Sequence, residues 1–235
     1  MNTNSNIYTI VYASVMVVIV AFLLAFVSSA LKPTQDKNVE LDKKKQILAA
    51  LNIRDLNVAA AVEAKYTEVV EADMIINAEG TVVETGEGKD KTGFKVENKE
   101  VSDAKMPLYL CKVDGVTKYV VPVSGRGLWG GLWGYLAINE DCATVYGAYF
   151  SHESETAGLG SPIAEQKFQD QFCGKQLFAD TAATQVALTI VKKGQVKDAA
   201  TEVDGLTGAT LTTKGAAAMV TDGLQKYINF FNANK

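Results

Sequence analysis

The chain has 235 residues, of which 48% are hydrophobic, and a formal net charge of −4. This length and composition allow one membrane anchor and one globular domain of about 200 residues with a substantial core. The negative charge, with Arg54 and Arg126 as the only arginines, argues against nucleic acid as a partner. Three widely spaced cysteines without a CxxC pair, and His152 as the single histidine, argue against a metal site and against a Ser-His-Asp triad.

The first 31 residues carry no charged side chain, and residues 15–27 are an uninterrupted apolar run. Because about 20 apolar residues cross a bilayer as a helix, residues 1–31 are predicted to form a single-pass transmembrane anchor. The alternative is a cleaved signal peptide that ends at the small residues 28–30. The absence of Lys or Arg before the apolar run argues against this alternative.

The segment after the anchor is polar and partly helical in pattern. Residues 32–36, with Pro33, are predicted to form a short linker. Apolar spacing then predicts helices over 39–51 and 57–72. The polar stretch 80–103 is predicted to be a long surface loop with one strand-like piece at 81–84.

A β-hairpin is predicted next. Apolar residues at 107–113 and 116–123 flank the pair Asp114-Gly115, which supplies the positive φ that a tight turn needs. Strands are also predicted at 135–138 and 143–149, with a turn between them at 139–141.

Between these strands lies a glycine-rich block, residues 124–134, in which Gly-Leu-Trp-Gly occurs twice in tandem. Such a density of glycine lets the backbone approach a ligand or another segment closely. Arg126 is a candidate contact for a phosphate, and Trp129 is a candidate contact for a cofactor. The alternative is a glycine-rich turn with both tryptophans, Trp129 and Trp133, in the core.

A short helix and two strands are predicted between residues 165 and 200. Residues 165–172 are predicted to be a short helix with Phe168 and Phe172 turned inward. A strand at 186–191, a turn at 192–194 and a further strand at 196–200 are predicted to follow.

The loop from Asp204 to Thr210 contains two glycines and precedes an amphipathic pattern. Apolar residues recur there at helical spacing, at Val220, Leu224, Tyr227, Ile228 and Phe231. Thr212 or Thr213 is predicted to cap this helix. A phosphate beside Thr210 would then be stabilised by the free N–H groups and the dipole of the helix.

The sequence Asp-Gly-Leu-Thr-Gly-Ala-Thr of this loop resembles the flavinylation motif of the NqrC family, a component of the sodium-pumping NADH:quinone reductase, and of the related RnfG family. The resemblance implies that Thr210 carries FMN through a phosphoester bond. It places Asp204, Thr207, Gly208 and Ala209 around the attachment point, where Asp204 would orient the loop or help a transferase hold metal. The alternative is a glycine-bearing loop with a good N-cap.

Two further motifs support the resemblance, which spans about residues 124–213. The block at 125–129 is similar to the Gly-Arg-Gly-Leu-Trp stretch of the NqrC family. The segment from His152 is similar to the family's His-x-Glu-Thr-Pro-Gly-Leu-Gly loop, which lies against the flavin ring. The positions that match this loop best are Glu155, Thr156, Leu159 and Gly160. This chain has one extra residue before Glu155 and an alanine in place of proline, so the role of His152 stays open.

The resemblance implies an α+β fold: a single N-terminal transmembrane helix, then an FMN-binding domain at 32–235 with an antiparallel sheet and flanking helices. It implies a covalent-FMN electron carrier, within a complex that oxidises NADH, reduces ubiquinone and pumps Na⁺. The other subunits would be its partners, and a separate flavin transferase that uses FAD and magnesium would attach the flavin. The alternatives are RnfG, from the Rnf ferredoxin:NAD oxidoreductase, and a membrane-anchored assembly module without a redox group.

Two arguments disagree about the side of the membrane on which the domain lies. Five lysines follow the apolar run between residues 32 and 45, and the positive-inside rule would place the domain in the cytoplasm. The resemblance implies a bacterial inner membrane with the domain on the periplasmic side, and we follow it because the rule weakens for long domains. The chain shows no Rossmann glycine pattern and no P-loop, so NADH is expected to bind to another subunit.

Overall fold

The computed structural model describes residues 5–86, 88–97, 100–180 and 182–235. The chain divides into two compact units, Met1–Lys43 and Lys44–Lys235. The helices are α1 (Asn6–Ala50), α2 (Ala59–Val69), α3 (Gln166–Gln169), α4 (Thr210–Gln225) and α5 (Ile228–Ala233). The strands are β1 (Val70–Ile76), β2 (Val82–Thr85), β3 (Met106–Val113), β4 (Val116–Arg126), β5 (Gly131–Asn139), β6 (Val145–His152), β7 (Thr189–Val191) and β8 (Glu202–Asp204).

Helix α1 is continuous over 45 residues with Pro33 in its interior. The predicted linker at 32–36 is therefore wrong, and the predicted helix at 39–51 is the end of α1. One proline removes a single helical hydrogen bond, and good helix formers such as Lys37 and Glu40 follow it. The apolar first part of α1 is long enough to cross a membrane. The boundary predicted at residues 31 and 32 falls inside this helix.

The predicted helix at 57–72 is correct only in part, because α2 ends at Val69 and β1 begins at Val70. Strand β1 pairs with β3 along its whole length. Its buried residues include Val70, Ile75 and Ile76, and β-branched side chains favour a strand. The helical spacing of the apolar residues therefore predicted a helix that is too long, and it gave no indication of β1.

Among the described residues, six strands form one antiparallel sheet in the order β2-β1-β3-β4-β5-β6. The predicted hairpin is β3 and β4, with Asp114 at φ 51° and Gly115 at φ 82° in its turn. The strands predicted at 81–84, 135–138 and 143–149 correspond to β2, β5 and β6. The α+β fold with an antiparallel sheet and flanking helices is confirmed.

Helix α4 packs directly on β4 through glycines. A Cβ at Gly215 would lie 2.1 Å from the carbonyl oxygen of Arg126. A Cβ at Gly125 would lie 2.8 Å from the Cβ of Met219. These approaches leave no room for a larger residue, and they bring the first turns of α4 to the end of β4.

Strands β7 and β8 form a small parallel pair. The strand predicted at 186–191 is observed over its last three residues, and the strand predicted at 196–200 is wrong. In this segment, side-chain carboxylates bind the backbone N–H groups that a strand would pair. Glu202 accepts hydrogen bonds from the N–H groups of Lys197 and Asp198, and Asp198 accepts one from the N–H of Ala200. Such local bonds compete with strand pairing.

The buried face predicted for the C-terminal helix is confirmed, but this segment forms two helices instead of one. All five residues predicted to face inward are buried. The helix breaks after Gln225, and α5 continues from Ile228. Phe168 and Phe172 are also buried, as predicted, in a segment built from α3 and a short 3-10 turn.

Candidate functional site

Thr210 is the first residue of α4, and its side chain is exposed. The first helical hydrogen bond runs from the N–H of Thr213 to the carbonyl of Ala209, 2.9 Å long. The N–H groups before it have no partner within the helix. Because helical side chains tilt toward the N-terminus, the Thr210 hydroxyl lies beside these free donors.

The predicted N-cap at Thr212 or Thr213 is wrong. The capping position is Ala209, which makes no side-chain capping bond. Thr212 and Thr213 lie inside the first turn and are buried. The hydroxyl of Thr213 accepts the N–H of Leu206 at 3.2 Å, and it thereby holds the 204–210 loop against the helix.

Two glycines shape the 204–210 loop. A Cβ at Gly205 would lie 2.4 Å from the carbonyl oxygen of Val191. Gly208 has φ 74°, a conformation that favours glycine, and its Cβ position lies 3.1 Å from Leu159. The loop therefore passes close to β7 and touches the segment that carries Leu159, while Thr207 is exposed.

The carboxylate of Asp204 lies on the preceding turn and not on the backbone of its own loop, although orienting that loop is one of the two roles that the sequence leaves open for it. It accepts the N–H of Gly194 at 2.6 Å and forms a 2.6 Å ion pair with Lys193. Burial raises the pKa of this carboxyl, and the two bonds lower it by more, so its net pKa is below the usual range. Asp204 thus joins the 204–210 loop to the β7–β8 connection.

Glu155 is the best-connected polar residue near Thr210. Its side chain is 7% exposed, and one oxygen accepts the Thr212 hydroxyl at 2.6 Å. The other oxygen accepts the N–H of Trp129 at 3.0 Å, and the N–H of Leu128 also donates to the carboxylate. One buried carboxylate therefore links the glycine-rich block, the start of α4 and the 155–160 loop.

The surrounding glycines make room for this carboxylate. A Cβ at Gly127 or at Gly160 would lie 2.3 Å from an oxygen of Glu155. The sequence predicts Gly160 as a cofactor contact, and in this structure it packs against the carboxylate. Its small size is needed for that close approach.

The pKa of Glu155 is lowered overall. Burial raises it, while the hydrogen bonds from Thr212, Trp129 and Leu128 lower it by more. Hydrogen bonds to the charged form favour ionisation. The negative charge also lies beside the first turn of α4, where the helix dipole favours an anion.

His152 holds the start of the 155–160 loop, since its Nδ1 atom accepts the N–H of Glu155 at 3.2 Å. The carbonyl of Thr156 then accepts the N–H groups of Leu159, Gly160 and Ser161, each at 3.1 Å. Thr156 therefore acts through its backbone in closing a helical turn. The side chain of Thr156 is exposed.

Four exposed apolar side chains belong to residues at or next to the contacts of Glu155. Each belongs to a residue that binds Glu155 or adjoins one that contacts it, and they are 47%, 65%, 46% and 57% exposed at Leu128, Trp129, Leu159 and Leu211. Neither tryptophan lies in the core: Trp133 is half-buried, and its indole N–H donates to Gln46. Exposed apolar groups clustered in this way mark a binding surface.

Arg126 and Lys214 are the two cations whose backbone lies near the start of α4. The carbonyl oxygen of Arg126 lies against Gly215 of α4. Val123 and Gly125 are the residues of β4 that face this helix, so the alternation of side chains along a strand directs the Arg126 side chain to the opposite face of the sheet. Lys214 lies one turn after Thr210 on the same helix face and is exposed. The sequence reasoning missed Lys214 because it placed the start of the helix after Thr210.

An open cleft of about 530 Å³ lies beside the two loops. Its lining includes Leu159, Thr207, Phe168, Lys167 and Lys193. The volume is within the range of small-molecule sites. The site therefore combines an exposed hydroxyl at a helix N-terminus, one nearby cation, apolar surface and a neighbouring concavity.

The three sequence motifs thus meet in space. The glycine-rich block, the 155–160 loop and the 204–210 loop all contact Glu155 or the first turn of α4. Asp204 and Arg126 are predicted residues whose side chains point elsewhere. Thr212 joins the site through Glu155, and no spacing rule in the sequence indicated that bond across 57 positions.

Comparison with known proteins gives the same assignment throughout. Residues 127–225 match the FMN-binding domain family. The NqrC protein of Haemophilus ducreyi, a component of the Na⁺-translocating NADH-quinone reductase, is 35% identical over 91% of this chain and 88% of its own length. The corresponding protein of Pseudomonas aeruginosa is 31% identical over 91% and 89%.

The solved structures agree. The crystal structure of NqrC from Parabacteroides distasonis superposes with a TM-score of 0.76 at 33% identity, covering 87% of this chain and 98% of that one. The Shewanella oneidensis NqrC structure, at 23% identity and a TM-score of 0.66, supports the fold alone. The threonine motif left RnfG open, and the full-length similarity decides between the two. The chain belongs to the NqrC family of the Na⁺-translocating NADH-quinone reductases.

Proposed function

We propose that this chain is the FMN-carrying electron-transfer subunit of a Na⁺-translocating NADH-quinone reductase, and that FMN is esterified through its phosphate to Thr210. The observation that carries the proposal is the exposed Thr210 hydroxyl at the N-terminus of α4, in the loop that matches the flavinylation motif. The match of residues 127–225 to the FMN-binding domain family supports FMN itself.

The residues present fit this group. Free N–H groups of the first turn of α4 would bind the phosphate oxygens. Gly208 and Ala209 leave the approach to the hydroxyl open, and the exposed Trp129 and Leu159 offer apolar surface to a planar ring. Bound FMN would supply one- and two-electron chemistry, and the protein supplies attachment, orientation and local polarity.

Attachment requires a partner enzyme. In the proposed step, a flavin transferase with magnesium joins the Thr210 oxygen to the FMN phosphorus of FAD, the pyrophosphate bond breaks, and AMP leaves. The hydroxyl proton passes to the transferase, so this chain needs no base of its own. Glu155 is already bonded to Thr212 and to two backbone N–H groups, which leaves it a structural role.

One cation, Lys214, is expected to assist phosphate binding. We predict that Lys214→Gln slows covalent labelling by about fivefold, because it removes one charge-assisted contact of about 1 kcal/mol. A time course of in-gel flavin fluorescence with purified transferase and FAD measures the rate. Lys226→Gln, an exposed cation just after the C-terminal end of α4, is the matched control. Equal rates in the wild type and both variants would remove Lys214 from the site.

We also propose that NADH, iron–sulfur and quinone sites lie on other subunits, and that the complex oxidises NADH, reduces ubiquinone and pumps Na⁺. The apolar part of α1 anchors the chain in the bacterial inner membrane. The FMN-bearing unit is proposed to lie on the periplasmic side. The exposed surface formed by Leu128, Trp129, Leu159 and Leu211 is proposed to contact a redox partner, so that electrons reach the flavin from outside the domain.

Cys173 offers a test of this orientation. It is exposed, while Cys111 and Cys142 are buried, so a bulky membrane-impermeant maleimide should modify Cys173 alone. We expect labelling in intact spheroplasts, and none in the Cys173→Ser control. Labelling that requires lysis of the spheroplasts would place the domain in the cytoplasm, as the positive-inside rule implies.

The function itself is tested by producing the full chain with a flavin transferase and inspecting a denaturing gel under ultraviolet light. We expect a fluorescent band that survives denaturation. A membrane-anchored assembly module without a redox group would give a colourless protein. A band without fluorescence, from cells in which the transferase labels another substrate, would contradict the proposal.

A further inference from the structure

Strand β6 is one edge of the six-stranded sheet, and edge strands carry backbone groups that need partners. Three alternate carbonyl oxygens of β6 each accept a side-chain hydrogen bond, and they belong to Tyr146, Ala148 and Phe150. The donors are Asn52, Arg54 and Gln169. Side chains from two separate segments thus cover this edge.

Gln169 is at the centre of this arrangement and is only 1% exposed. Its Oε1 atom accepts from Nη1 of Arg54 at 2.9 Å. Its Nε2 group donates to the carbonyl oxygens of Phe150 at 2.9 Å and of Ala164 at 3.1 Å. Both donor hydrogens and the acceptor of the buried amide are therefore used.

Arg54 determines which way this amide points. A guanidinium only donates and carbonyl oxygens only accept. If the amide were reversed, its NH₂ group would face Arg54 and its oxygen would face two carbonyl oxygens. Because leaving buried polar groups unpaired is costly, Arg54 holds Gln169 in the orientation that binds Ala164.

Ala164 ends the 3-10 turn that directly follows the 155–160 loop. Glu155 secures the beginning of that loop through Thr212, and Gln169 secures the segment after it. Leu159 lies between these two points, against Gly208 of the 204–210 loop. Movement of the Ala164 end would therefore change the position of Leu159 beside the proposed flavin attachment.

We propose that Gln169, oriented by Arg54, is a positioning residue that sets the place of the 155–160 loop against the FMN on Thr210. The importance of this position for the flavin rests on the proposed function. The bond itself is a property of the folded chain, so it can be tested with and without the flavin.

The first test uses the full chain in detergent without flavin and the nearly isosteric variant Gln169→Glu. A carboxylate keeps the pairing with Arg54 but replaces the NH₂ donor with an acceptor facing Phe150 and Ala164. We expect hydrogen exchange at the N–H groups of Leu159, Gly160 and Ile163 to become about tenfold faster, because local opening loses a buried hydrogen bond. Gln166→Glu, exposed on the same short helix, is the control with equal charge change.

Arg54→Lys is the second variant. If Gln169→Glu does not fold, the exchange rates of Arg54→Lys alone test the proposal. Lysine keeps the positive charge but lacks the planar fork that binds Gln169 and Ala148 together. We expect exchange at the same amides to rise about threefold, roughly in line with loss of one hydrogen bond. Unchanged exchange in the folded variants, or equal acceleration in Gln166→Glu, would overturn the proposal.

The second test uses chains labelled with FMN. We expect Gln169→Glu to keep full covalent labelling and to change the visible circular dichroism band of the flavin, while Gln166→Glu leaves the band unchanged. An unaltered band would overturn the link between this bond and the flavin. An unlabelled wild-type chain would instead contradict the proposed function, and the exchange experiment would still report on the loop.

Discussion

Thr210→Ala is expected to abolish covalent flavin labelling. The change removes the hydroxyl that is proposed to form the phosphoester, and no other hydroxyl occupies the first position of α4. Alanine is a good helix former and the position is exposed, so stability should change by less than about 0.5 kcal/mol. The measurement is flavin fluorescence of the denatured protein, normalised to total protein, after production with the transferase.

Two variants make this result specific. Thr207→Ala changes the other threonine of the motif, which is exposed and lines the neighbouring cleft, and it should keep most of the label. Thr210→Ser retains a hydroxyl at the same place and should keep some label. A fluorescent Thr210→Ala band would show that another side chain carries the flavin.

Glu155→Gln is expected to have the largest effect on stability among the conservative changes at this site. An amide supplies one acceptor where the carboxylate supplies two, and its NH₂ group would face donors that now bind Glu155. Loss of charge-assisted bonds at a buried position costs about 3 kcal/mol. For a domain of this size that corresponds to a Tm lower by about 8 °C, measured by calorimetry of the full chain in detergent.

Glu153→Gln is the matched control. Glu153 is exposed and, among the residues that the structure describes, its side chain accepts a single hydrogen bond, from the N–H of Gly131 at 3.1 Å. Its replacement should change stability by less than about 0.5 kcal/mol. Similar losses in both variants would mean that the buried carboxylate does not organise the three segments.

The effect of Glu155 should also depend on pH. Its pKa in the folded protein is lowered, so its contribution to stability is complete above its unfolded pKa, about 4.3. The contribution is lost as the pH falls through the folded pKa. The difference in Tm between wild type and Glu155→Gln should therefore be constant above about pH 5.5 and shrink in more acidic buffers. A difference that grows toward low pH would contradict this assignment.

The sequence predicted the elements that depend on local signals. The Asp114-Gly115 turn determined the hairpin, and the apolar spacing of the last helices identified their buried face. The family and the α+β fold followed from three short motifs and are confirmed. The cofactor residues stay predictions, although the structure brings the segments that carry them together.

The features of the fold and the site that the sequence did not predict depend on contacts between residues that are distant in the chain. Strand β1 follows α2 without a break, and its pairing with β3 decided where the helix ends. The start of α4 at Thr210 was missed because Thr212 and Thr213 looked like capping residues, whereas their hydroxyls bind Glu155 and the N–H of Leu206. The roles of Gln169 and Arg54 come from a bond across 115 positions, which no local pattern reveals.

The central claim is a phosphoester between FMN and Thr210, and mass spectrometry of the chain purified from its native membrane tests it most directly. We expect the proteolytic peptide that contains Thr210 to carry the added mass of FMN less one water, with fragment ions that place it on Thr210. Recovery of that peptide only in its unmodified form would contradict the account.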